Sequence, residues 1–297
     1  MCKTFWFLTL FVAAFMLPAH AREAQTCDDK TIEAVAAWAE VKGKLVSADE
    51  EPDGLIVAAA CKAMPNAPGT TIAAIAFETD REVYNNGQSE MRIILQAITL
   101  VEAGKVVAAH RSYISENSPF NTFNSNSYRI DTARYVLSRN VRAFGVIFRT
   151  AGAFTGCYDA GFSDELSLWI REGRNLRAVF GTVLHSWRNF YKDSSPGEWL
   201  SEGADITISV ENTSSHGFAD LAITAHVMQE DCRLDSSGVA RCGGGGEECS
   251  YTGKRTVRKV VKYNGQSYGD FVMHYYYDET PYDSYWSPSV STWWWQE

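Results

Sequence analysis

The chain has 297 residues, of which 45% are apolar and 13% aromatic, and its formal net charge is -9. This composition is sufficient for a sizeable buried core and excludes a disordered protein. The acidic balance argues against nucleic-acid binding, because a surface that contacts phosphates needs an excess of basic residues.

The first 21 residues have the pattern of a secretory signal peptide. Lys3 is their one charge, an apolar run extends from Phe5 to Leu17, and Ala19-His20-Ala21 is the small-x-small pattern that signal peptidase accepts. The apolar run is about 13 residues long, whereas a membrane-spanning helix needs roughly 20. We therefore expect cleavage before Arg22, no transmembrane anchor, and a mature protein that is periplasmic or secreted.

Six cysteines follow residue 21, and an even number favours disulfides in an exported protein. None of them stands in a CxxC pair, so a zinc site is not expected. The pairings considered are Cys27 with Cys61, Cys232 with Cys249, and Cys157 with Cys242. The first would hold the N-terminal segment, and the second would close a loop that contains the glycines 243–246. The sequence does not choose among these and the other possible pairings.

The periodicity of the chain changes near residue 70. Residues 28–42 have the apolar spacing of a helix, with acids at the start and lysines at the end. Residues 55–64 fit either a helix or a buried strand. From Thr70 onward, short β-prone runs alternate with turn residues, which is typical of an antiparallel β protein. We predict a mainly β fold with a short N-terminal helix.

Within this class we expect antiparallel, propeller-like repeated sheets, with a β-sandwich as the alternative. The expected organisation is a signal peptide over residues 1–21, a helical lead packed on the β body over 22–69, and a β-rich domain over 70–297. A glycine and an acid precede an apolar run both at 161–166 and at 217–221. Such recurrence is typical of repeated sheets, although glycine turns precede strands in many β proteins.

Residues Gly217-Phe218-Ala219-Asp220-Leu221 resemble the end of the FG-GAP repeat of integrin-type propellers. In that family a calcium loop of alternating aspartate and asparagine precedes the glycine. Asn212, Ser214 and His216 stand at the equivalent positions, so most of the oxygen ligands that calcium needs are missing.

A second acidic cluster lies beside Cys157. The metal candidates from the two clusters are Asp159, Asp164 and Asp220, with calcium as the cation considered. No other cofactor is expected.

Three further stretches, at 60–65, 142–146 and 157–177, are similar to parts of a loose group of uncharacterised exported bacterial β-rich proteins. This resemblance implies export and a β body. It implies no activity and no site.

The common catalytic motifs SxxK, HExxH, GxxxxGK and GxGxxG are absent from the sequence. Glycosidases use two carboxylates whose partnership is spatial, so a single sequence cannot assign such a pair. We therefore assign no catalytic residue and expect a non-catalytic protein. The alternative function is a periplasmic hydrolase that acts on cell-envelope polysaccharide or peptidoglycan.

The C-terminal segment is unusually rich in aromatic residues. The candidate binding residues in it are Tyr285, Trp286, Trp293, Trp294 and Trp295. Aromatic rings stack on sugars and anchor protein interfaces, although a terminal strand can also use them to seal a core. Neighbouring residues on a strand point to opposite sides, so at least one of the three consecutive tryptophans is expected to face solvent or a partner.

Before this segment, a basic run contains Lys254, Arg255, Arg258, Lys259 and Lys262. Lysines protect edge strands from aggregation, and an acidic partner is the alternative explanation. Taken together, the sequence favours a binding protein with a protein or glycan partner in the cell envelope, such as a secreted or envelope protein that it inhibits.

Overall fold

The structure, a computed structural model, describes residues 25–65, 67–80, 82–85, 88–116, 123–149, 160–191, 197–234 and 247–269. Within these ranges the chain forms one helix and thirteen strands. In chain order they are α1 (Asp29–Ala39), β1 (Lys44–Ser47), β2 (Gly54–Ala63), β3 (Thr70–Phe77), β4 (Glu82–Asn85), β5 (Gln88–Glu102), β6 (Lys105–Glu116), β7 (Tyr128–Ser138), β8 (Val141–Phe148), β9 (Ala160–Glu172), β10 (Asn175–Tyr191), β11 (Glu198–Ser215), β12 (Phe218–Leu234) and β13 (Glu247–Val261). The prediction of a mainly β fold with a short N-terminal helix is confirmed. The predicted signal peptide lies outside the described residues.

Helix α1 begins and ends with standard caps. The Asp28 carboxylate accepts a hydrogen bond from the backbone N–H of Thr31 at 2.7 Å, which satisfies one of the free donors of the first turn. At the other end, Glu40 adopts a left-handed backbone with a φ of 62°. The buried face of the helix includes Val35 and Ala39, and it packs on β3 and β5.

The thirteen described strands belong to one hydrogen-bonded sheet, with the order β1-β2-β3-β5-β6-β10-β11-β12-β13. Strand β4 pairs with β5, and β9, β8 and β7 form a branch that leaves this path at β10. The pairs are antiparallel, except for β1 with β2 and a short contact between β10 and β6. Most neighbours on the path are also consecutive in the chain, and most of these consecutive pairs are antiparallel hairpins. The separate blades of a propeller are not the arrangement found here.

The branch folds over the sheet, because β7 contacts β2 and β3 on one side and β11 and β12 on the other. Strand β3 is therefore covered on both of its faces. Its residues Ile75 and Phe77 pack under α1, while Ile72 and Ala74 pack against side chains of β7 and β8. A strand covered on both faces is apolar along its whole length, which explains the run from Ile72 to Phe77. The layered arrangement is closer to the sandwich alternative than to a propeller.

The sequence pattern of residues 55–64 fits either a helix or a strand, and in the structure they form most of β2. This strand pairs with β3 in register from Ile56–Phe77 to Ala63–Thr71. The lead predicted over 22–69 therefore contains two strands of the same sheet, β1 and β2, in addition to the helix.

The two phrases that suggested a repeat occupy different structural positions. Gly161 and Phe162 lie inside β9 and pair with residues of β10. Gly217 instead lies in the turn between β11 and β12, with a φ of 86°. The shared letters therefore do not mark equivalent turns in the described sheet.

Two disulfides are present among the described residues. Cys27 pairs with Cys61 and Cys232 pairs with Cys249, both as the sequence analysis had considered. Cys157 and Cys242 lie outside the described residues. In the described part of the chain, no helix combines the length and the apolar character that crossing a membrane requires.

Candidate functional site: an arginine-lined cleft

A cleft of about 600 Å³ opens where the β2–β3, β7–β8 and β9–β10 turns meet. Its polar lining includes Thr70, Glu102, Arg139, Asn140, Arg142 and Arg171. Its apolar lining includes Met64, Leu100 and Val136. A concave site of this size, with a few convergent polar groups, is the usual form of a small-molecule site.

Hairpin geometry places the arginines at the cleft. Ser138 pairs with Val141, which leaves Arg139 and Asn140 as a two-residue turn between β7 and β8. In the β9–β10 turn, Gly173 has a φ of 65°, a conformation in which glycine is favoured because it lacks a Cβ atom. Arg171 precedes this turn on β9.

The three arginines differ in how many of their guanidinium N–H groups already contact described residues. Arg171 lies 3.5 Å from the Glu102 carboxylate and donates to the Gly173 carbonyl at 2.9 Å. Arg142 donates to the carbonyl of Thr132 at 3.1 Å. Arg139 makes no hydrogen bond or ion pair with a described residue. Most of the N–H donors of Arg139 and Arg142 therefore stay available to a ligand, since each guanidinium has five.

Glu102 is the one carboxylate among the described residues that line the cleft. It accepts a hydrogen bond from the Thr70 hydroxyl at 3.0 Å and faces Arg171. Three guanidinium groups against one carboxylate leave a local positive excess, in a protein whose net charge is -9. The cleft therefore offers binding energy to an anionic group.

The basic strand β13 differs from the cleft in this respect. It ends the path of paired strands in the described sheet, as expected of an edge strand. However, Arg255 pairs with Glu202 at 3.1 Å and Arg258 pairs with Glu211 at 2.6 Å. Because these two cations are neutralised within the chain, β13 has less charge to offer an acidic partner than the sequence indicated.

The structure does not bring the predicted metal candidates Asp164 and Asp220 together. Asp164 lies on β9 and Asp220 on β12, with β10 and β11 between them in the sheet. Asp159 and the predicted binding residues Tyr285, Trp286, Trp293, Trp294 and Trp295 lie outside the described residues.

Asp164 belongs to a chain of ionic contacts. One carboxylate oxygen lies 3.6 Å from the Arg149 side chain, and the other lies 3.7 Å from Nε2 of His185. Nδ1 of His185 lies 2.7 Å from Asp205 on the next strand. These contacts link β9, β10 and β11 at the point where the register between β10 and β11 ends. His185 and Asp205 are 20 residues apart, and no sequence motif indicated their contact.

Asp220 is buried, with 3% of its surface exposed, and one carboxylate oxygen accepts a hydrogen bond from Thr213 at 2.7 Å. Hydrogen bonds from Thr213 and Ser215 hold the pKa of this carboxyl below its usual value, and the charge of Lys262 acts in the same direction. A cation beside Asp220 would have to compete with the nearby ammonium group of Lys262. The contacts of Asp220 thus tie the β11–β12 turn together.

One group of potential metal ligands lies within coordinating distance in the described part of the chain, and it consists of Glu230, Cys232 and Cys249. Both sulfurs belong to the disulfide between β12 and β13. A disulfide sulfur has no thiolate charge with which to bind a metal, so this group offers a single carboxylate.

Comparisons with family models, with curated proteins and with solved structures found no significant match to this chain. The cleft is therefore interpreted from its own residues. No sequence pattern identified Arg139, Arg142 or Arg171 as a site, because they lie in or beside two different turns that are far apart in the chain. The one local signal was the presence of arginine in or beside short turns between β-prone runs.

Proposed function

We propose that this is a non-catalytic binding protein that works in the periplasm or after secretion, and that the arginine-lined cleft is where it recognises a protein or glycan partner. One observation carries the proposal: Arg139 and Arg142 line a concave cleft without a carboxylate partner among the described residues. Arginines with no carboxylate to neutralise them favour contacts with an anionic group from outside the chain.

The location is supported by two features that do not involve the cleft. The first 21 residues have the three-part pattern of a signal peptide. The Cys27–Cys61 and Cys232–Cys249 bridges are typical of proteins that mature outside the reducing cytosol.

The described cleft favours binding over glycoside hydrolysis. Most glycosidases need two carboxylates on either side of the bond that is cleaved. Glu102 is the one described carboxylate in the lining, and Arg171 and Thr70 already contact it. Elsewhere, both ring nitrogens of His185 face carboxylates, whereas a histidine that acts as general base directs one nitrogen at the nucleophile.

The first test compares two charge-matched double variants of the mature chain, residues 22–297. One carries Arg139→Gln and Arg142→Gln in the cleft. The control carries Arg134→Gln and Lys254→Gln, two exposed cations that do not line the cleft. Each protein is immobilised and incubated with an envelope extract, and the captured protein and glycan are quantified against the unmodified chain.

We expect capture to fall by about tenfold or more with the cleft variant, since a charge-assisted contact contributes roughly 1.5–3 kcal/mol. The control variant should capture as much as the unmodified chain. Peptidoglycan and polysaccharide incubated with the protein should remain intact. Equal capture by both variants would contradict the proposal, as would turnover of either polymer.

A further inference from the structure

We infer that the cleft binds a small sugar-like ligand that carries a carboxylate or a phosphate, and that this oxyanion contacts Arg139 and Arg142. The inference rests on the proposed function and names the ligand class for the same site. The size of the cleft indicates a small ligand. The cleft has a volume of about 600 Å³. That lies within the roughly 300–1,000 Å³ typical of small-ligand sites, whereas a protein partner covers about 800 Å² of a flatter surface.

The positive charge available to a ligand is concentrated at one hairpin. Arg139 lies within the β7–β8 turn, and Arg142 lies just after it on β8. Arg142 uses one described hydrogen bond, to a backbone carbonyl, and Arg139 uses none. The planar fork of a guanidinium matches both carboxylate and phosphate oxygens, so the two oxyanions share one recognition chemistry.

Arg171 differs from the other two arginines that line the cleft. Glu102 and the Gly173 carbonyl hold its guanidinium, and the Thr70 hydroxyl in turn holds Glu102. This makes Arg171 a positioned cation that cannot neutralise a ligand fully without releasing Glu102. We therefore place the oxyanion at Arg139 and Arg142. We expect Arg171 and Glu102 to contact the body of the ligand.

The rest of the lining indicates what the body of the ligand is. Val136 pairs with Arg142 across the β7–β8 hairpin, so their side chains lie on the same face, and Val136 is 37% exposed. Asn140, Ser138 and Thr70 add amide and hydroxyl groups to the lining. A hydroxylated ring has both apolar C–H faces and hydrogen-bonding groups, and it fits this mixed lining better than a purely apolar chain does.

The test is isothermal titration calorimetry on the mature chain with four probes: glucuronate, glucose phosphate, inorganic phosphate and glucose. We expect glucuronate or glucose phosphate to bind and glucose not to bind. Whichever of the two binds more tightly identifies the oxyanion. Added salt should weaken binding, because exposed charges are screened. If inorganic phosphate binds more tightly than both glucuronate and glucose phosphate, the inference that the ligand has a sugar-like body is wrong.

Variants locate the oxyanion. Because Arg139 contacts no described partner, Arg139→Gln is the variant least able to disturb folding. We expect it to weaken binding of the preferred probe by about tenfold, and Arg142→Gln to do the same or more. Arg142→Lys keeps the charge but loses the fork, so its binding should be intermediate. The Arg134→Gln/Lys254→Gln control should bind as the unmodified chain does.

The outcomes separate this inference from the function on which it rests. If none of the probes binds, yet capture from the envelope extract still depends on Arg139 and Arg142, the small-ligand inference is wrong and the cleft binds a larger partner. If capture is also independent of these arginines, both proposals fail. Equal weakening by the control variant would indicate a non-specific charge effect and would likewise overturn the inference.

Discussion

Glu202 and Asp220 are both buried carboxylates, but different partners bind them, and Oδ1 of Asp220 has no hydrogen-bond partner among the described residues. Glu202 is 5% exposed and accepts hydrogen bonds from Gln229 at 2.5 Å and Arg255 at 3.1 Å. Asp220 is 3% exposed and accepts from the hydroxyl of Thr213. A buried charge is tolerated when such bonds replace water. Glu202 is therefore part of an ion pair between β11 and β13, whereas Asp220 depends on local hydroxyl donors.

At the residue scale, Asp220→Asn should reveal the contribution of that charge. The Thr213 and Ser215 hydrogen bonds hold the pKa of Asp220 below its ordinary value of 3.8. A carboxyl whose pKa is lower in the folded state stabilises the fold above the unfolded pKa and loses this contribution as the pH falls through the folded pKa. The variant should therefore be less stable than the unmodified chain at about pH 7, and the difference should shrink below about pH 4.

Urea unfolding at several pH values measures this difference. Thr213→Val is the matched comparison, because it removes the hydroxyl donor and keeps the carboxyl and the approximate shape of the side chain. Its effect should have the same sign and the same pH dependence. A stability difference for Asp220→Asn that stays constant down to the acid limit would contradict the role of the charge.

At the scale of elements, the two disulfides among the described residues connect different kinds of segment. Cys27 precedes α1 and Cys61 lies on β2, so this bridge ties the residues before the helix to the sheet. Cys232 and Cys249 are directly paired residues on β12 and β13. The two bridges therefore differ in what they add: the first joins separate segments, and the second reinforces an existing strand pair.

Loop length predicts the stability contribution of each bridge. The cysteines are 34 residues apart in the first bridge and 17 apart in the second. Chain entropy then gives a loss of about 4 kcal/mol for Cys27→Ser with Cys61→Ser, and about 3 kcal/mol for Cys232→Ser with Cys249→Ser. Urea unfolding of each double variant measures these losses. A negligible loss in the first pair would show that α1 and β2 hold this segment without the bridge.

At the scale of the whole molecule, the lead and the β-rich region share one sheet. Strand β2 covers an edge of β3, and α1 covers one of its faces, where Ile75 and Phe77 are fully buried. Removing residues 22–69 would expose this face and an unpaired strand edge, which is a template for aggregation. The two regions are therefore expected to fold together.

A chain that begins at residue 70 tests this dependence. We expect it to lack the near-UV circular dichroism of packed aromatic residues and to show no cooperative unfolding transition, because β3 loses its cover. A chain that begins at residue 22 is the control and should unfold in one transition. A truncated chain that is monomeric and cooperatively folded would show that the lead is a separate unit.

The candidate site was less predictable than the elements that form it. Periodicity located α1, and β-prone runs located most of the strands, because both patterns act over a few neighbouring residues. The cleft instead depends on Arg139 and Arg171 lying in different hairpins that meet in space. The contact between His185 and Asp205 likewise requires the register of β10 with β11. Neither arrangement has a local signature in the chain.

The amino-acid sequence by itself determined the class of the protein: a mainly β chain with one short helix near its start and cysteines suited to disulfides. The tertiary structure alone decided that the described strands form one sheet with a folded-over branch, and that three arginines converge on one cleft. The physical reason is that alternation and helical spacing arise from each residue and its near neighbours. Strand order and register depend on hydrogen bonds and packing between distant segments, which no single stretch of sequence specifies.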